Sequence, residues 1–231
     1  MRFLSYIEST GTQYIDTGVF PTQKTRLVID IDLTPSTGSS ALFGARNSVG
    51  VAAFCLFARG NGSKYDNYFG SAVTPNCGGE NGGRHIIDKN QGALYIDGTL
   101  VDTLTSEAFT CNYSIALLQI VQIGGAMKSY PTTAKLYSCQ IYNSDVLVRD
   151  FVPAESDDGT IGLYDKVNAR FYGNAGTDAF IGGEPLNEMF SVNFAGLTND
   201  LTYYARVYPM NPKGYAQAEI GTQVGSAIPK A

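Results

Sequence analysis

Apolar and polar residues alternate along this chain with a period of two, and helical spacing is scarce. The segment 25–33, TRLVIDIDL, has Leu27, Ile29, Ile31 and Leu33 on one side and Arg26, Val28, Asp30 and Asp32 on the other. Successive side chains of a strand point to opposite faces, so this pattern predicts a half-buried strand with one wet face. Shorter runs of strand-forming residues predict further strands at 41–45, 53–58, 84–89, 93–97, 100–104, 115–123, 134–142, 146–152, 161–164 and 169–172. Asp97-Gly98, between two such runs, is a hairpin dipeptide. Many short strands without intervening helices imply an all-β sandwich or barrel. The segment 59–83, rich in Gly, Asn and Ser, reads as loops.

Composition narrows the class. The 231 residues include 44% hydrophobic residues, enough for a core, with 15 Tyr, 12 Phe and no Trp. Charged residues make up 16%, the formal net charge is −5, and no Lys/Arg cluster stands out. That argues against nucleic-acid binding, which needs a basic face. No run approaches the ~18–20 apolar residues of a membrane-spanning helix, so no membrane insertion is expected. Cys55, Cys77, Cys111 and Cys139 form no C-x-x-C pair, which makes a zinc or redox motif a poor reading. Alternation puts Cys139 on the face of Tyr137 and Ile141, as a small buried thiol. Cys77, in a Gly-rich loop, is the one expected to be exposed, and a disulfide stays open.

Two motifs carry a family resemblance. Residues 7–18 read IESTGTQYIDTG, and far downstream 147–153 read LVRDFVP and 162–176 read GLYDKVNARFYGNAG. Together they resemble the opening and closing segments of concanavalin A-like (laminin-G-like) jelly-roll domains of phage tail and gut-bacterial surface proteins. The resemblance extends through LFGARNS (42–48) and GALYIDGTLVDTL (92–104) and is weak at 59–83. It implies a two-sheet jelly roll over residues 1–183. Residues 184–231 resemble the second half of a fibronectin type III module, with Tyr203 or Tyr204 as its corner tyrosine, and so form a small β appendage. A complete module needs roughly 100 residues. The resemblance implies a phage tail-tip or tail-fibre protein, in the virion or at a bacterial surface, that binds a host-surface carbohydrate and contacts other tail proteins. Homo-trimerisation would cover the half-module's open face.

Candidate chemistry follows from these frames. Sugar recognition needs aromatic faces with amides and charged groups for hydroxyls. Residues 43–85 supply that mixture, and Arg46, Asn47, Tyr65, Asn67, Tyr68, Asn76, Asn81 and Arg84 are the candidate ligand-binding residues, with Asp66 and Glu80 among them. No catalytic residue is assigned. A glycoside hydrolase would need two carboxylates at a set separation. Asp30 and Asp32 offer a pair, but hydrolases of this fold carry E-x-D-x-x-E, and Val28 stands where the first glutamate would be. The single histidine, His85, reads as structural, as do Arg149 and Asp150, taken as a salt bridge near a strand edge. No cofactor is required. Oxygen-rich loops at 61–67, 74–81 and 155–159 leave calcium open. A purely structural virion or baseplate module is the main alternative function.

Overall fold

The computed structural model describes residues 1–60, 64–126 and 130–186, with four short backbone strands beyond them at 203–205, 210–211, 214–215 and 225–227. The chain divides into two compact units, Met1–Asn187 and Glu188–Ala231.

Within the first unit the strands run in chain order as β1 (Arg2–Phe3), β2 (Ile7–Thr10), β3 (Ile15–Asp16), β4 (Thr25–Leu33), β5 (Ser40–Ala45), β6 (Ala53–Ala58), β7 (Tyr65–Gly70), β8 (Ala72–Cys77), β9 (Gly83–Asn90), β10 (Ala93–Ile96) and β11 (Thr99–Thr103). They continue as β12 (Ala116–Leu117), β13 (Val121–Gln122), β14 (Gly125–Ala126), β15 (Thr133–Asn143), β16 (Val146–Glu155), β17 (Ile161–Asp165), β18 (Arg170–Tyr172) and β19 (Ile181–Gly182). They form two large sheets. The larger has the order β11-β10-β9-β4-β15-β16-β17-β18, with β1 on β16 and β2 between β15 and β19. The smaller has the order β14-β13-β5-β6-β7-β8, with β12 joining β5 to β3. The fold is all-β. Among the described residues no helix is long and apolar enough to cross a membrane.

The core lies between the sheets. Leu27, Ile29 and Ile31 of β4 are 0–1% exposed and pack with Phe43, Phe54, Leu56 and Phe69 of the smaller sheet. Each such side chain contributes about 1.5–3 kcal/mol of hydrophobic stabilisation. Lys89 of β9 sits in this core, its ammonium 5.1 Å from the Phe54 ring centroid and hydrogen-bonded to Asn67 Oδ1. The two bracketing motifs meet at Arg149. Its Nε donates to the Thr17 carbonyl at 3.0 Å and lies 3.6 Å from Asp165 Oδ2, tying the opening segment to β16 and β17. Arg149 and Asp150 do not pair with each other: they face opposite sides of β16, and Asp150 pairs with Lys166 at 2.8 Å.

Several local expectations are corrected. The segment 59–83 is not all loop: β7 and β8 form a hairpin there, Phe69 opposite Ala72, turning on Gly70 at φ 61° and Ser71. Pro75 lies within β8, an edge strand, where a missing N–H is tolerated. The single strand expected at 115–123 is broken at Leu118, whose φ of 66° turns the chain between β12 and β13. A register shift between Leu136 and Ser138 sends Tyr137 to the outer face of the larger sheet, away from Cys139 and Ile141. Cys77 is buried, at 7% exposure, and all four cysteines are free thiols. The Asp97-Gly98 turn forms as expected, with φ 50° and 79°.

In the second unit, Tyr203–Ala205 pairs antiparallel with Gly225–Ala227, and Met210–Asn211 with Gly214–Tyr215. The expected fibronectin-like half-module and the side chain of its corner tyrosine lie otherwise outside the described residues.

Candidate functional site

The two outer faces of the sandwich differ in kind. On the larger sheet the outer face is a ladder of self-paired charges. Arg84 holds Asp30 with two bonds of 2.8 Å, and Arg26 holds Asp88 with bonds of 2.9 and 2.7 Å. On the smaller sheet the outer face is apolar and covered: Ala41, Ala53, Cys55, Phe57 and Ile120 form a second buried cluster, with Tyr68 and Tyr130 packed against it.

The register of β6 on β7 builds a cleft on this covered face. Phe57 lies opposite Asp66 and Cys55 opposite Tyr68, so these four point outward, while Phe54, Leu56, Tyr65, Asn67 and Phe69 point into the core. Phe57 makes edge contacts with two tyrosines: Tyr68 at 5.5 Å and 66°, Tyr130 at 5.0 Å and 68°. Arg59, just past the end of β6, reaches Asp66 in a bidentate pair, Nε to Oδ1 at 2.8 Å and Nη2 to Oδ2 at 2.7 Å. Arg46, at the end of β5, lies 5.6 Å from the Phe57 ring centroid and 5.7 Å from that of Tyr68, and its Nε donates to Gln122 Oε1 at 2.9 Å. With Ser39 these residues line a cleft of about 130 Å³. That is smaller than the ~300–1,000 Å³ of a pocket enclosing a drug-sized molecule, and suits one small ring or a chain end. Burial and then the Asp66 charge raise the Tyr68 hydroxyl above its ordinary value of 10, so it is a proton donor at neutral pH. Chiefly through its hydrogen bond to Asp66, Arg59 is raised as well.

The residues singled out in the sequence scatter across the fold. Arg46 and Tyr68 line the cleft. Asn76, at φ 58°, donates its backbone N–H to Asp66 Oδ1 at 3.0 Å and so holds that carboxylate in place. Asn81 stands behind Arg59, its amide Nδ2 donating to the Arg59 carbonyl at 3.0 Å and to the Lys64 carbonyl. Asn47 anchors the loop after β5, its Oδ1 accepting from the Asn112 N–H at 2.7 Å. Tyr65 and Asn67 are buried in the sandwich core, and Arg84 is on the other sheet, its guanidinium 3.6 Å from the Tyr137 ring centroid. The sequence reading missed Phe57, Arg59, Tyr130 and Ser39. Alternation along AFCLFA marks Phe57 as facing opposite to Leu56; Tyr130 arrives from a distant segment, and nothing local signals it.

Other candidate chemistry dissolves into structural contacts. His85 bridges Asp97 Oδ2 at 2.8 Å and the Gly82 carbonyl at 3.1 Å, pinning β9 to the hairpin turn. Both oxygens of Asp30 are held by Arg84. Among the described residues no group of three or more His, Cys, Asp or Glu side chains could hold a metal ion. Four carboxylates of the oxygen-rich loops have other partners: Asp66 pairs with Arg59, Glu155 with Arg2, Asp157 takes the N-terminal ammonium, and Asp158 accepts from Ser156 and the Thr160 N–H. This donor set does not fit the 6–8 oxygens of a calcium site. Residues 61–63 of the first such loop lie outside the described residues.

No protein-family model matches the chain, and no curated protein matches it by sequence. By structure the chain is similar to a crystal structure from Bacteroides ovatus of a protein named a "putative carbohydrate binding protein", with a TM-score of 0.53 and 11% identity. The match covers 83% of this chain and 62% of that one, so the chain spans less than two thirds of its relative. At this identity the likeness concerns the fold.

Proposed function

We propose that the protein is a non-enzymatic carbohydrate-binding protein whose site is the cleft on the outer face of the smaller sheet. The observation that carries this reading is the meeting of Phe57, Tyr68 and Tyr130 with the Arg59–Asp66 pair in one recess. Aromatic faces receive the C–H face of a sugar ring, while fixed guanidinium and hydroxyl groups select its oxygens. The name of the Bacteroides ovatus protein of similar fold agrees with this reading. So does the covering of this one outer face, since the ladder on the other sheet satisfies its own charges. The hydrolase alternative loses support from the same comparison, because Asp30 is committed to Arg84 rather than open to a glycosidic oxygen.

The finer reading is that the sandwich is a concanavalin A-like jelly roll over residues 1–183, carrying a partial fibronectin-like segment at 184–231. It acts at a phage tail tip or a bacterial surface, engaging host glycan as a homo-oligomer with a trimer favoured. The sequence motifs at 7–18, 147–153 and 162–176 support it, with Arg149 joining them. A structural module that touches only virion proteins is the second reading, and it gives the cleft no ligand. A broad glycan array probed with the wild type and with Tyr68→Ala separates the two. The glycan reading expects a restricted set of hits that Tyr68→Ala abolishes; a blank array for a folded protein removes it.

A further inference from the structure

The cleft is rich in donors, and this bears on which glycans it takes; the inference rests on the glycan reading above. Asp66 is the single carboxylate among the described lining residues. It is 5% exposed and already engaged: Oδ1 accepts from Arg59 Nε and the Asn76 N–H, and Oδ2 from Arg59 Nη2. The charged groups that remain to a ligand are therefore donors, beside hydroxyls that both donate and accept. Ser39, Tyr68 and Tyr130 bring hydroxyls, and Arg46 and Arg59 bring guanidiniums. A guanidinium has five N–H donors and no acceptor. Arg59 gives Nε and Nη2 to Asp66, and its side chain is 42% exposed, so its remaining donors are open to solvent.

Charge points the same way. Two guanidiniums and one carboxylate line a recess on a chain whose formal net charge is −5. A cationic ligand is disfavoured by the two guanidiniums of the lining, which would repel it. A neutral sugar can pair with the wall hydroxyls, which donate and accept, but it offers the guanidiniums no charged acceptor. A carboxylate or sulfate only accepts, and its geometry matches the guanidinium fork. We propose that the cleft selects an acidic sugar, carrying a carboxylate or sulfate, over its neutral counterpart.

Two matched pairs of probes test this by titration calorimetry on the full chain: a galacturonic acid trisaccharide against its methyl ester, and a sulfated chondroitin disaccharide against its desulfated form. The first pair reads carboxylate recognition and the second sulfate. At least one acidic member should bind about tenfold or more tightly than its neutral partner, the scale of a hydrogen bond to a charged group. That gap should shrink with added salt. Arg59→Gln leaves the buried Asp66 carboxylate without its charged partner and should lower the melting temperature. The gap is therefore read well below that temperature, where Arg59→Gln should remove most of it and Arg59→Lys should restore part. Equal or tighter binding of the neutral members, lost in Tyr68→Ala, would overturn the acidic preference while leaving the glycan site intact. A gap that Arg59→Gln leaves untouched would also overturn it. No binding by either pair, with a blank glycan array, would remove both claims.

Discussion

Asp66 and Asn67 are neighbours on β7 that serve opposite sides of one sheet. Asp66 faces the cleft and pairs with Arg59, while the Asn67 amide faces the core, donating to Asp102 Oδ2 at 2.9 Å and accepting from Lys89. One strand thus fixes the cleft wall on one face and ties the two sheets together on the other. Disturbance of either residue is transmitted through a backbone buried on both sides.

Asp66→Ala should therefore destabilise the fold as well as the cleft. It strips Arg59 of its partner and leaves the Asn76 N–H without an acceptor. Because Arg59 is partly exposed it can be resolvated, so a loss of about 1–3 kcal/mol is expected rather than the larger cost of a fully buried pair. Urea unfolding gives the value, and a loss below about 0.5 kcal/mol would contradict this role.

The core lysine makes stability depend on pH. Burial pulls Lys89 down from its ordinary 10.5 to about 8. Between those values the unfolded chain holds a proton that the folded chain has shed, so stability rises with pH through this window. The thiols act in reverse. Burial pushes Cys55 from 9 up to about 12 and Cys77 up to about 11, so from pH 9 upward the unfolded chain loses protons the folded chain keeps, and stability falls. The urea midpoint should rise from about pH 8 to near 9 and then decline. In Lys89→Met the rising limb should vanish; an unchanged limb would mean that another group titrates.

Gly44 should accept no side chain. It pairs with Cys55 across β5 and β6 at φ 141°, and a Cβ added there would run into the Cys55 Cβ and backbone. Gly44→Ala should cost several kcal/mol, on the order of a severe core overpacking, and show as loss of folded yield. A normal melting temperature would refute the packing described for these two strands.

The frame of this fold was legible in the sequence to the extent that alternation was clean. Leu27, Ile29 and Ile31 all face the core as their spacing demands. The cleft was harder to see for two physical reasons. The β7–β8 hairpin is built from Tyr, Asn, Gly, Thr and Pro, residues that also make loops, so Tyr65, Asn67 and Tyr68 were grouped although the strand sends the first two inward and the third outward. The far wall comes from Tyr130, more than sixty residues away, and no local pattern encodes such a long-range contact. The bulge that turns Tyr137 outward is equally silent in sequence.

The most direct test of the central claim is where a glycan touches the protein. Backbone amide NMR spectra recorded during titration with a glycan-array hit would locate it. The account predicts shifts concentrated at Arg46, Phe57, Arg59, Asp66, Tyr68 and Tyr130, with the larger sheet's outer face at Asp30, Arg84 and Tyr137 unmoved. Shifts centred on that larger-sheet face, with the cleft residues silent, would contradict it.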